Sequence, residues 1–264
     1  MHELRRIFRH SGLADGVKGP LPLREWFDRA YANLLKGYRS QYVYKNAIAN
    51  QLLLRRHSMR ESALLTEFNA GVSKADAVLI NGTSTVYEIK SEFDSTQRLE
   101  SQLRSYGEIF DRIYVCTHAS QVKHIEPILP PHVGLILLSS RYSLEEVREA
   151  QSNKRRVVPE MIFHSLRRAE YCSIVQKRFG ALPSSPPAEI SLACHALFST
   201  LAPEVAHDDM VEVLRARQGA TRPGLVEFIK GLPASLRAAA LYADLTTRHQ
   251  DALTRLLDKA VNFA

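Results

Sequence analysis

Two carboxylates, a lysine, a glutamine and a tyrosine lie between Asp76 and Tyr106 at spacings that an apolar core does not require. Side chains alternate faces along a strand, so in Glu88-Ile89-Lys90 the carboxylate and the ammonium project together while Ile89 points the other way into apolar packing. Asp76 can add a second carboxylate to that face. The oxygens of Asp76 and Glu88, with the main-chain carbonyl of Ile89 between them, form a donor set for Mg²⁺ or Mn²⁺. Mg²⁺ takes oxygen ligands at about 2.0–2.1 Å and keeps part of its water shell. An ion held there beside Lys90 has the elements needed to hydrolyse a phosphodiester: charge to meet the developing negative phosphorane, and an ammonium to orient the attacking water.

Whether the two acids meet depends on a hairpin. Val78-Leu79-Ile80 and Thr85-Val86-Tyr87 flank Asn81-Gly82, a strong short-range hairpin signal. A two-residue loop pairs Ile80 with Thr83 and Asp76 with Tyr87, which leaves Asp76 on the face opposite Glu88. A three-residue loop, Asn81-Gly82-Thr83 with a left-handed glycine, or a bulge lower down, pairs Asp76 with Glu88. The chemistry requires one of these two.

The flanking elements must carry the rest. Ser62 to Asn69 reads as a strand holding Glu67, a lone carboxylate among apolar residues that is explained either by edge exposure or by a catalytic or metal role. After the hairpin, Asp94 or Ser95 caps a helix to about Phe110 with Leu99, Leu103 and Ile109 inward. Arg98, Gln102 and Tyr106 recur at i, i+4, i+8 and form one polar stripe able to lie beside the Glu88/Lys90 strand. Ile113 to Thr117 and Val133 to Leu138 are continuous apolar runs, the mark of buried strands. Between them Gln121 to Leu129 is helical and interrupted by Pro127. Tyr142 to Val147 is either an edge strand or, from Ser143, a capped helix start.

Upstream, Leu23 to Tyr38 and Tyr42 to Ser58 have helical spacing, with Trp26 as a packing residue and Arg55-Arg56-His57 in the last turn of the second. Downstream, Asn153-Lys154-Arg155-Arg156 is a basic break and the expected domain edge. Beyond it the pattern is helical only: Pro159 to Phe179, Ala188 to Leu201, Asp208 to Gln218, Gly224 to Ile229, and Ala234 to Val261 as one helix or two. His207-Asp208-Asp209 reads as a helix cap. The expected organisation is an N-terminal helical extension over 1–41, an α/β domain over 42–152, and a helical C-terminal domain over 153–264.

The 264 residues are 45% hydrophobic and 24% charged, the balance of a folded water-soluble protein, and carry a net charge of +7 that favours an anionic partner. Cys116, Cys172 and Cys194 are far apart in sequence and show no CxxC spacing, which indicates reduced thiols rather than a zinc knuckle or a disulfide framework. The charged N-terminal stretch lacks the apolar core of a secretory signal, and no run approaches the roughly 18 apolar residues of a membrane helix. A cytoplasmic protein with no membrane partner is expected.

Asp76, the hairpin and Glu88-Ile89-Lys90 resemble the signature of the PD-(D/E)XK nuclease superfamily: an acid, a hairpin of variable length, then Glu/Asp-X-Lys on the next strand. Gln102-Leu103-Arg104-Ser105-Tyr106 is similar to the Gln-X-X-X-Tyr helix motif of its RecB-like branch. Glu67 resembles the upstream acid of many members, with Glu61 as a substitute. Ala75 stands where a proline is common. The resemblance covers about residues 42 to 140 and implies a restriction-endonuclease-like αβββαβ core with a mixed sheet, followed here by the all-helical C-terminal region. It implies a Mg²⁺- or Mn²⁺-dependent nuclease acting on nucleic acid, DNA foremost. Asp76, Glu88, Lys90 and Glu67 would be catalytic, Asp76, Glu88 and the Ile89 carbonyl would bind metal, and Arg98, Gln102 and Tyr106 would contact substrate. Removal of the Lys90 ammonium is expected to abolish cleavage and spare the fold. The C-terminal helices would position substrate, drive oligomerisation or bind a protein partner. The alternative is a catalytically silent nuclease-like module that binds nucleic acid or protein.

Overall fold

A computed structural model describes residues 2–37, 40–50, 62–139, 141–217, 225–243 and 245–263. The chain forms two compact units, Met1–Leu54 with Pro223–Ala264, and Arg55–Arg222. No described helix is long and apolar enough to cross a membrane.

The first unit contains α1 (His2–His10), β1 (Leu21–Pro22), α2 (Leu23–Gly37) and α3 (Gln41–Ile48). The rest of the helix expected to Ser58, including Arg55, Arg56 and His57, lies outside the described residues, as does Glu61. Trp26 is fully buried, as expected of a packing residue. Its ring centroid lies 5.3 Å from that of Phe8 and 5.1 Å from that of Phe263, and its Nε1 donates to the Val261 carbonyl at 3.1 Å.

The larger unit begins with three strands, β2 (Ala63–Ala70), β3 (Ser73–Ile80) and β4 (Ser84–Lys90), followed by α4 (Leu99–Gly107), β5 (Arg112–Thr117), a short α5 (Val122–Ile125), β6 (Gly134–Leu138) and β7 (Leu144–Arg148). The six strands form one mixed sheet in chain order: β4, β5 and β6 run parallel, and the other neighbouring pairs are antiparallel. Tyr142–Val147 thus resolves as an edge strand. Leu99, Leu103 and Tyr106 put one stripe of α4 against Val78, Ile80, Val86, Ile113 and Val115, so β4 is covered and buried along its whole length. The helix starts later than the caps at Asp94 or Ser95 predict. The Asp94 carboxylate instead accepts the Ser91 amide at 2.7 Å, closing the turn that leaves β4.

The helices after Arg156 belong to this same unit: α6 (Pro159–Ser165), α7 (Arg168–Phe179), α8 (Ile190–Phe198) and α9 (Pro203–Arg217). Ile162, Phe163, Ile174, Phe198, Met210 and Leu214 join the core of Val78, Val86 and Leu103. The edge expected at 153–156 therefore falls inside the unit, because the apolar stripes of these helices find their cover on the sheet and its helices. The chain returns to the first unit as α10 (Leu225–Gly231), α11 (Ala234–Tyr242) and α12 (Thr247–Asp258). It then enters β8 (Ala260–Val261), which pairs antiparallel with β1. The stretch from Ala234 is thus two helices and a strand.

His207, Asp208 and Asp209 do not cap α9. They lie inside it, because the helix begins at Pro203, and two of them are buried. Asp209 accepts from both Lys177 and Arg178 of α7. His207 Nε2 meets Ser84 Oγ at 2.8 Å, and that hydroxyl accepts the Asp111 amide at 3.1 Å. The Asp111 carboxylate in turn accepts from Thr83 at 2.7 Å, from the Asn153 and Lys154 amides at 3.1 and 3.0 Å, and from Ser152. This network joins α9 to the hairpin end of the sheet. Burial holds the His207 imidazole below its ordinary pKa, so it is neutral where the unfolded chain is protonated. Its contribution is complete above about pH 6.5 and is lost as pH falls. Denaturant unfolding between pH 7 and pH 5 should show a His207→Gln variant losing less stability per pH unit than the wild type, by up to about 1.4 kcal/mol per unit. Identical slopes would place the proton elsewhere.

Candidate functional site

The hairpin register brings the two acids together. Ile80 pairs with Ser84, Val78 with Val86 and Ala77 with Tyr87, so the loop is Asn81-Gly82-Thr83 and Gly82 adopts a left-handed φ of 68°. The β3–β4 ladder ends at Ala77 and Tyr87, and continued by one step its register puts Asp76 across from Glu88, on the sheet face of Val78, Val86 and Lys90. The Asp76 Oδ2 accepts the main-chain N–H of Ile89 at 2.9 Å. Ile89 turns its side chain away and is fully buried, as the alternation requires.

Glu88 is the centre of the arrangement. It is 2% exposed in the middle of the covered sheet, where an uncompensated carboxylate would cost several kcal/mol. Three side chains compensate it. Tyr106 donates to Oε2 at 2.6 Å, Gln102 Nε2 donates to Oε1 at 2.7 Å, and Lys90 Nζ lies 3.0 Å from Oε1. Gln102 turns its other amide atom to the same lysine, accepting from Lys90 Nζ at 2.8 Å. The glutamine thus bridges anion and cation, which its amide can do because it carries a donor and an acceptor on one group. Tyr106 Oη also lies 3.1 Å from the Lys74 carbonyl. Burial, then the charge of Glu88 and its hydrogen bond, raise the Tyr106 phenol far above its ordinary range, so it stays a donor. Burial and the charges of Asp76 and Glu88 likewise keep the Cys116 thiol protonated behind the strand.

The predicted residues are therefore not brought together equally. Asp76, Glu88, Lys90, Gln102 and Tyr106 converge. The stripe on α4 runs from core to water: Tyr106 is buried, Gln102 half-buried, and Arg98, at the N-cap, exposed. Glu67 is not drawn in. It faces Asp76 across the β2–β3 register, but its φ is 50°, it is absent from the ladder between Thr66 and Phe68, and its exposed carboxylate lies 3.4 Å from Lys74 Nζ. A left-handed residue breaks the pleat that would aim its side chain with the others. The direct grip of Gln102 and Tyr106 on Glu88 exceeds what the sequence spacing indicates, since i, i+4 spacing names a stripe and not its partner.

Lys90 sits at the end of β4, beside the end of parallel β5. The Thr117 hydroxyl donates to its carbonyl at 2.7 Å. Crevices at the carboxyl ends of parallel strands are where open α/β sheets bind ligands. Among the described residues no group of three or more His, Cys, Asp or Glu side chains gathers as a metal centre. A cation here would draw on Asp76, Glu88 and the Ile89 carbonyl. Hard oxygens in that number are what Mg²⁺ takes when water and substrate complete its shell.

Because Lys90 is only 6% exposed and paired with a buried acid, its removal leaves Glu88 with the hydrogen bonds of Gln102 and Tyr106 but no adjacent cation. Truncation to alanine at this position should therefore lower stability, whereas a side chain that keeps the volume and a hydrogen-bond donor should leave the chain folded. Loss of the Tyr106 hydroxyl should act similarly on a smaller scale. In urea unfolding, Tyr106→Phe should lose about 1–3 kcal/mol through the orphaned Glu88 oxygen, whereas Arg98→Ala should stay within about 0.5 kcal/mol of wild type.

Known proteins resemble this chain over different lengths. The family model described as bacteriophage P4 protein cII matches residues 36–236. Protein cII of Enterobacteria phage P4 is 29% identical over 70 residues, which are 26% of this chain and 26% of that protein. The aligned part thus spans about a quarter of that relative. Among solved structures, the SPO1766 protein of unknown function from Silicibacter pomeroyi aligns with a TM-score of 0.34 at 18% identity, covering 50% of this chain and 87% of that one. With the family match running through both units and most of the sequence, the chain belongs to the bacteriophage P4 protein cII family.

Proposed function

We propose that the chain is a metal-dependent nuclease that hydrolyses phosphodiester bonds in DNA, built on a restriction-endonuclease-like core. The observation that carries this reading is the register. A three-residue loop sets Asp76 across from Glu88 with Lys90 two residues on, and the Ile89 amide ties the two strands at that point. The order β2, β3, β4, α4, β5 and the mixed sheet agree with such a core. Asp76, Glu88 and the Ile89 carbonyl would hold Mg²⁺ or Mn²⁺, which supplies Lewis-acid charge at the phosphate. The chain's own residues do the rest. Lys90, aimed by Gln102 and Glu88, presents its ammonium to the attacking water or to a phosphate oxygen. Tyr106 fixes the Glu88 carboxylate from behind. Arg98, exposed at the start of α4, can reach a neighbouring phosphate along the strand. Asp76, half-buried, forms the more open side of the site.

One observation favours a second reading, a nuclease-like module that binds nucleic acid or protein without cutting. Both Glu88 oxygens are engaged by side chains of the chain itself. Cleavage assays separate the two. Purified protein with Mg²⁺ or Mn²⁺ should cut plasmid or linear single-stranded DNA, and chelation should stop it. Glu88→Gln and Lys90→Gln, which keep side-chain volume, should lower the rate roughly 100-fold or more while thermal melts show a folded chain. Full activity in folded Lys90→Gln would refute the assignment, and binding with no cutting under any of these conditions would favour the module. An RNA substrate in parallel shows which sugar is accepted.

A further inference from the structure

The two oxygens of Glu88 have different neighbours. Tyr106, fully buried, donates to Oε2 at 2.6 Å and also reaches the Lys74 carbonyl at 3.1 Å, so this oxygen belongs to the core. Oε1 meets Gln102, which stands one helical turn nearer the exposed start of α4. Three groups close a ring there. Gln102 Nε2 donates to Oε1 at 2.7 Å, Lys90 Nζ lies 3.0 Å from the same oxygen, and Lys90 Nζ donates to Gln102 Oε1 at 2.8 Å. A carboxylate oxygen has about two lone-pair sites, and Gln102 and Lys90 take both of those on Oε1. The ring thus fills the outer oxygen of an acid assigned to the metal, and it holds the ammonium assigned to the phosphate buried against that acid. A divalent cation and the Lys90 ammonium are like charges and repel strongly at the separation of two ligands on one oxygen.

We propose that this ring is a latch: Lys90 leaves Glu88 Oε1 when a divalent cation takes that oxygen, and Gln102 keeps hold of the ammonium through its carbonyl oxygen and aims it at the phosphate. The latch rests on the nuclease reading for the metal and the phosphate, and it names the regulation of that site. Gln102 is then a positioning residue, since it acts through Lys90 and Glu88. Before the cation arrives, Lys90 is committed to Glu88 and offers little to a phosphate. Nucleic acid is therefore gripped at Lys90 only beside the ion needed to cut it. Coupling between two ligands is reciprocal, so nucleic acid bound at Lys90 also tightens the metal. A ring with only a structural role would stay closed when metal binds.

Two measurements that need no cleavage test this. In the first, the wild type is treated with a water-soluble amine-acylating reagent and each lysine is read by mass spectrometry. Lys90 should be labelled several times faster in saturating Mg²⁺ than in EDTA, while exposed Lys259 should be labelled equally in both. In the second, Mg²⁺ and Mn²⁺ are titrated calorimetrically into the wild type and Gln102→Met. The variant should bind either ion about 10-fold more tightly, the worth of one hydrogen bond to a charged group, while melting at a lower temperature. Those opposite directions separate the latch from packing, whose loss would weaken both. Lys90 labelling unchanged by saturating metal, or no gain in metal affinity in folded Gln102→Met, overturns the latch. The labelling uses the wild type, so it decides the matter even if Gln102→Met does not fold. Metal binding with Lys90 still protected removes the latch and leaves the nuclease reading standing. No binding of either ion to the wild type or to folded Gln102→Met removes both.

Discussion

A carboxylate buried in the middle of a sheet is the constraint to which the larger unit answers. Glu88 occupies a strand covered on its length, where its charge would be costly without donors. The donors come from its own strand, in Lys90, and from α4, in Gln102 and Tyr106, so the helix is tied to the sheet by more than apolar contact. The parts are interdependent. Lys90 needs the acid to be tolerated at 6% exposure, the acid needs the helix, and the helix reaches it only because Leu99 and Leu103 seat it on the sheet. Polar networks of this kind favour one arrangement strongly, since partial satisfaction is worse than none.

A second polar network holds the other end of the same strand. Ser84 begins β4 and joins Asp111, at the start of β5, to His207 of α9. Around Asp111 converge the hairpin loop, through Thr83, and the chain after the sheet, through Ser152, Asn153 and Lys154. Hydrogen bonds from Ser152 and Thr83 overcome the burial that would raise the Asp111 pKa and hold its carboxyl below the usual range. The strand that carries the candidate site is thus pinned at both ends by charge and along its middle by apolar packing. That is the pre-organisation a site needs if its lysine and acids are to stay within hydrogen-bond reach of one another.

The match to the phage P4 protein cII family, residues 36–236, takes in the whole larger unit and only part of the smaller one, and the candidate site lies wholly within the larger. The smaller unit is held by aromatic packing. Its core is a cluster of Phe8, Trp26 and Phe263, closed by a short pairing of β1 with β8, and it gathers the two ends of the chain.

Alternation of apolar and polar residues, the Asn81-Gly82 turn and helical spacing made the strands, α4 and the residues Asp76, Glu88, Lys90, Gln102 and Tyr106 legible in the sequence alone, because each is a local pattern. The sequence also posed the register as a choice between loops of two and three residues. Only the fold could make that choice, since Ser84 pairs with Ile80 while its hydroxyl is engaged by His207 and Asp111, residues distant in the chain. Glu67 looked equivalent to the other acids by type and was separated from them by a left-handed backbone that no local pattern foretold. His207 and Asp209 looked like a helix cap and proved to be buried members of α9, because a cap and a buried polar residue have the same side chains and differ only in what packs against them. The sequence by itself determined which groups could do chemistry on one strand and one helix. The tertiary structure decided which of them meet, because desolvation and hydrogen-bond partners belong to the packed chain and not to the spacing of its residues.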